Sequence, residues 1–142
     1  MNIFKKNKFI VIEYEGHEFG LSVLDIILTL DTISIMGFIP MFNIDNRRIE
    51  FQQILSGLHL PKGRCGKIIE IIPHHHCQDC DEHVLLKVAL KNMVLTLPLS
   101  ALLISAHIID DLTNGSVFGY KFWQAIYNER QDIDFPQVVI GE

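Results

Sequence analysis

The residues best equipped for chemistry crowd into one stretch, Pro73-His74-His75-His76-Cys77-Gln78-Asp79-Cys80-Asp81-Glu82-His83. Cys77 and Cys80 form a C-x2-C pair, a spacing that lets two thiolates share one tetrahedral zinc ion. His83, or one of the three consecutive histidines, would add a third ligand, and Cys65 could reach the same metal. A structural zinc site usually has two ligand pairs separated by roughly a dozen residues or more, and this stretch holds half of one. The plainer reading is a solvated polar loop, with zinc as the alternative. Redox use of the pair would need the cysteines to open a helix, which a loop of this composition does not promise.

Elsewhere the chemistry is thin. Asp31, Glu50 and the Asp110-Asp111 pair have no fixed partner and no glycine-rich phosphate cradle nearby, so they read as solvated turn charges. No serine stands in a nucleophile elbow. Tyr120, Phe122 and Trp123 interleave with Lys121, which suits a stacking surface but more simply places alternate members against the core. These residues point away from an enzyme.

Composition narrows the classes further. The chain has 142 residues, 49% of them apolar, enough for one compact domain with a real core. Its net charge of −5 comes with no basic run beyond Lys5-Lys6-Asn7-Lys8, which argues against a nucleic-acid partner. The apolar run Phe9 to Ile12 is too short for the core of a signal peptide. Met93 to Ala106 is too short, and too interrupted by Pro98, to span a membrane, which needs about 20 residues. Three cysteines with no export signal suggest a reducing cytoplasm.

The elements that must position these residues repeat. The stretch Ile10 to Ile33 returns 76 positions later as Leu86 to Ile109, pairing Ile12 with Val88, Phe19 with Leu95, Leu21 with Leu97 and Ile26 with Leu102. Each copy starts with apolar residues at every second position, which predicts a strand. Each then turns, through Glu15-Gly16-His17 or Lys91-Asn92, into a second alternating run, giving a hairpin followed by an apolar ridge. The β-branched content of Leu24 to Leu30 favours strand for that ridge. A second echo pairs Ile49 to Gly57 with Ile133 to Gly141.

The rest follows in order. Ser34 to Asn43, with Gly37 and Pro40, predicts a bend or bulge between short strands, and Ile49 to Leu58 a strand end running into a short helix. Leu60 to Gly66 is a connecting loop, Lys67 to Ile72 a strand, and Asp110 to Gly119 a loop. Tyr120 to Tyr127 alternates weakly, and Ile133 to Ile140 predicts a last strand. The expectation is an all-β domain with minor helix over 1–142, built from repeated halves at about 9–58 and 67–142.

On these residues the chain resembles the CheW-like domain, the chemotaxis coupling module. Glu18-Phe19-Gly20-Leu21-Ser22-Val23-Leu24-Asp25-Ile26-Ile27 is similar to the family's Tyr-Gly-Ile-Asp-Ile-Leu hairpin and ridge. Gly37-Phe38-Ile39-Pro40-Met41-Phe42-Asn43, then Ile49-Glu50-Phe51 and Ile54-Leu55-Ser56, stand where the family carries Gly-Val-Ile-Asn-Leu-Arg-Gly, Ile-Asp-Leu and Leu-Leu-Gly. The resemblance implies two intertwined small five-stranded β-barrels of SH3-like design. It also implies a non-enzymatic adaptor in chemotaxis-type signal transduction, with no cofactor. Its partners would be a CheA-like histidine kinase regulatory domain, a chemoreceptor tip or another CheW-like domain. The matching contact region is Ile39, Met41 and Phe42, with Arg47 and Arg48 on its rim. Phe42 stands where the family has arginine, Arg47 where it has proline, and Leu28 where an acidic residue closes the ridge. Polar recognition should therefore weaken and apolar contact grow, with Phe42 as the anchor. The alternative function is a small zinc-binding β protein using Cys77, Cys80 and His83.

Overall fold

The computed structural model describes residues 2–6, 9–42, 66–73, 84–112 and 117–130. Two three-stranded antiparallel sheets lie in sequence order: β1 (Asn2–Lys6), β2 (Phe9–Tyr14) and β3 (His17–Leu21), then β4 (Lys67–Pro73), β5 (Val84–Ala89) and β6 (Val94–Pro98). Both expected hairpins are present. In the first, Tyr14 faces His17 across the two-residue turn Glu15-Gly16, whose φ values of 52° and 79° are both positive, as a type I′ turn requires. In the second, Leu90 N–H donates to the Met93 carbonyl at 2.8 Å and leaves Lys91 and Asn92 exposed. The anticipated strand at Lys67 to Ile72 is β4, with a register shift between Ile68 and Glu70 that leaves Ile69 exposed.

The ridges after the hairpins are helices, α1 (Val23–Ile35) and α2 (Leu99–Leu112), and not strands. Periodicity overrode β-propensity here. Val23, Ile26, Ile27, Leu30, Ile33 and Ser34 are buried, a spacing of three and four that only a helix turns to one side. Ser22 caps α1, its Oγ accepting from the Asp25 N–H at 3.4 Å. The same segment closes with a Schellman motif: Gly37 N–H donates to Ser34 O and Phe38 N–H to Ile33 O, with Gly37 at φ 89°. Gly37 thus ends a helix, where a bulge between strands was expected. Asp110 belongs to α2, not to a loop, and Tyr120 to Tyr127 lies in a third helix, α3 (Tyr120–Glu129).

β1 is a strand that nothing in the local sequence announces, and it gives each half the same plan of three strands and a helix. Neither sheet closes into a barrel among the described residues. The two halves cross over. α1 packs against β4 of the second sheet, α2 packs against β1 and β2 of the first, and the two helices meet. The Ile68 N–H of β4 donates to the Asp25 carboxylate of α1 at 2.9 Å, tying the halves across 43 residues of chain. α2 is buried on most of its circumference, from Leu99 through Leu102, Leu103 and Ala106 to Ile109, as a helix surrounded by other elements must be. Phe42 and Phe118, 76 positions apart like the two copies, stack with ring centroids 4.6 Å apart.

The second half enters through a narrow gate. Gly66 N–H donates to Gly20 O of β3 at 2.8 Å. A β-carbon on Gly66 would stand 2.8 Å from Val88 Cγ1, 3.1 Å from Phe19 Cδ2 and 3.2 Å from Leu21 Cδ2. Gly66→Ala should therefore destabilise the protein by about 1–3 kcal/mol through overpacking. Urea unfolding checks this, read as a lower midpoint at unchanged slope. An unchanged midpoint would show that β3 and β5 part freely at this point.

Candidate functional site

The segment expected to meet a partner begins where the Schellman motif releases the chain. Ile39 and Phe42 turn inward, whereas Met41 is 65% exposed. Phe42, 8% exposed, lies 4.6 Å from Phe118 and 5.5 Å from Phe122 between ring centroids, so its ring is part of the core. A ring held this way cannot serve as an anchor on the surface, and of Ile39, Met41 and Phe42 only Met41 presents itself to a partner. Arg47, Arg48, Glu50, Cys65, Cys77, Cys80 and His83 lie outside the described residues, as does the echo of 49–57 in 133–141.

The helical form of the first ridge creates a surface that a strand reading hides. Leu24, Leu28 and Ile35 share the outer face of α1 with Asp31 and are exposed, Ile35 at 69%. Met36 and Met41 continue the exposed apolar side chains past the helix end. The helical spacing of Leu24, Leu28 and Ile35 was the available signal, masked by assigning the ridge to a strand. Their counterparts on α2, 76 positions on, are Ser100, Ile104 and Asp111, so the apolar character belongs to the first helix alone.

The ends of the Cys/His stretch are pinned although the stretch itself lies outside the described residues. Pro73 pairs with Val84 across β4 and β5, so residues 74–83 connect two neighbouring strands. In the first sheet the corresponding connection, between Lys6 and Phe9, is only Asn7-Lys8. Among the described residues no group of three or more histidine, cysteine or carboxylate side chains is placed to hold a metal. No described helix is long and apolar enough to cross a membrane.

A buried polar cluster joins α2 to α3, and sequence reasoning missed it. Asp110, 4% exposed, accepts from the Val117 and Phe118 N–H groups at 3.0 Å each and from the Trp123 indole N–H. Three donors make a buried carboxylate tolerable where it would otherwise be costly. One turn earlier His107, 1% exposed, bonds through Nε2 to the Tyr127 hydroxyl at 2.7 Å, and its ring lies 4.7 Å from that of Trp123. Burial lowers the His107 pKa below its usual 6.5, against the pull of the Asp110 and Asp111 carboxylates. Burial also raises that of Tyr127 above 10.0. Both groups are therefore neutral near pH 7, and with no cleft reaching them the cluster positions α3 and offers no chemistry to a substrate.

No protein family, curated protein or solved structure matches the chain.

Asp110→Ala leaves three donors without their acceptor and should cost about 3 kcal/mol or more. Asp110→Asn keeps one acceptor oxygen and should cost less. Equilibrium unfolding followed by Trp123 fluorescence distinguishes them, and equal losses would show that the carboxylate itself is not what seats α3.

Proposed function

We propose that this chain is a non-enzymatic adaptor, a divergent CheW-like scaffold acting in the cytoplasm. It would couple a CheA-like histidine kinase regulatory domain to a chemoreceptor tip or to another CheW-like domain. The observation that carries this reading is the uncovered apolar face of α1, Leu24, Leu28 and Ile35, continued by Met36 and Met41. Apolar side chains grouped on one exposed face usually mark a protein partner. The duplicated plan, with the helix of one half packed on the sheet of the other, is further support, since the family is built from two intertwined, similar halves. On this reading each three-stranded sheet belongs to a small barrel of the family type.

The inward turn of Phe42 moves the expected contact from that ring to the helix beside it. Leu28 sits where the family carries an acidic residue, so recognition there becomes apolar where it was charged. Titration of wild type and Leu28→Glu against kinase regulatory domains and receptor tips from the same genome tests the reading. A loss of about tenfold or more, with the circular dichroism spectrum unchanged, is expected of a central contact. Absence of wild-type binding to every candidate rejects the coupling role.

A second reading has its own observation. The β4–β5 connection is eight residues longer than its counterpart, and the extra length carries Cys77, Cys80 and His83 between strand ends held side by side. A hairpin so closed keeps ligands near one another and lowers the entropy lost on binding zinc. Protein purified without a histidine tag should then hold one zinc ion, lost in Cys77→Ser and in Cys80→Ser. Stoichiometric zinc retained by the double variant would exclude the site.

A further inference from the structure

α3 is the one described helix without a counterpart among the described residues of the first half, and its attachment to α2 runs through a titratable side chain. Phe122, Trp123 and Ile126 are its buried residues, and Gly119 at φ 93° starts it without a side-chain cap. Of its polar attachments, Trp123 reaches Asp110 and Tyr127 reaches His107. His107 lies between the two, in ring contact with both Trp123 and Tyr127. Any change in the charge of His107 is therefore felt along the length of the α2–α3 contact.

We propose that α3 is a clasp held shut by neutral His107, and that mild acid loosens it from α2. A second proton on the ring places a cation inside the interface, where water cannot reach it. Asp110 and Asp111 are the charges that act on His107, and both favour the cation; loss of hydration opposes them and is the larger effect. From α3 the facing titratable group is the Tyr127 hydroxyl, which is raised above its usual range and stays neutral throughout. The direction follows. His107 docked takes up its proton at a lower pH than His107 released, whose value is near 6.5. The released state thus binds more protons as the pH falls below 6.5, so docking is at full strength above that pH. It weakens on the way down to the docked value and changes no further below it. What opens is the aromatic cluster of Phe42, Phe118, Phe122 and Trp123, a large apolar surface that is closed at neutral pH.

The test is amide hydrogen exchange on the full chain, corrected for intrinsic rates, from about pH 7.5 to about pH 5.5, with the histidine ring protons followed by NMR over the same range. Protection of the Phe122 to Ile126 amides should fall several-fold while that of Leu102 to Ala106 in α2 holds. The His107 ring should titrate with a midpoint below 6.5. His107→Gln, which keeps a hydrogen-bonding group for Tyr127 but cannot take the proton, should make α3 protection independent of pH in this range. If His107→Gln does not fold, the wild-type titration decides. A His107 midpoint at or above 6.5, equal loss of protection in α2 and α3, or an unchanged pH response in the variant each overturns the clasp.

Discussion

A three-stranded antiparallel sheet with five to seven residues per strand cannot hide its own apolar face, and both sheets of this protein meet that constraint by borrowing. α1 leaves the first sheet to lie against β4, and α2 leaves the second to lie against β1 and β2. Each of the fully buried large side chains on α2, Leu99 and Leu102 among them, contributes about 1.5–3 kcal/mol, and it does so against both halves at once. Neither half is then a unit that stands alone. The Asp25 bond to Ile68 and the Gly66 bond to Gly20 are the polar ties at this crossing.

Against that frame the two halves diverge where specific chemistry is wanted. The end of α1 is closed by backbone geometry at Gly37, whereas the end of α2 is closed by a side chain, Asp110, that gathers two amides and an indole. The first solution leaves an apolar helix face open on Leu24, Leu28 and Ile35. The second secures another helix, α3. Duplication supplies the frame, and the unequal helix ends decide which half is uncovered and which is sealed.

How much of this was legible follows from the range of each interaction. The hairpins and the 76-residue repeat were readable because alternation and turn residues are local. Phe19 and Leu95, Leu21 and Leu97, and Ile26 and Leu102 are all buried at the paired positions. The ridges were misread because Ile-rich runs satisfy both strand propensity and helical spacing, and the deciding feature, Ser22 capping at Asp25, carries little weight when composition is read alone. β1 escaped because its apolar pattern is short and followed by lysines, and its partner β2 is what makes it a strand. Asp110 looked like a loop charge because aspartate usually is one, and only its distant donors reveal otherwise. Phe42 looked like surface because its ring contacts come from residues more than 70 positions away.

The stacking of Phe42 on Phe118 has a consequence for how the chain is made. Residues at the same place in two copies can touch each other only where an approximate twofold axis passes between them, so these rings mark that axis. Everything near an axis is assembled from remote sequence, which raises contact order and slows the search for the native state. A nascent chain that has released only its first half holds Phe42 and Asp25 with neither of their partners yet made. Synthesis of this protein therefore passes through an interval in which an apolar half-structure waits for its complement, and the length of that interval is set by the ribosome and not by the fold.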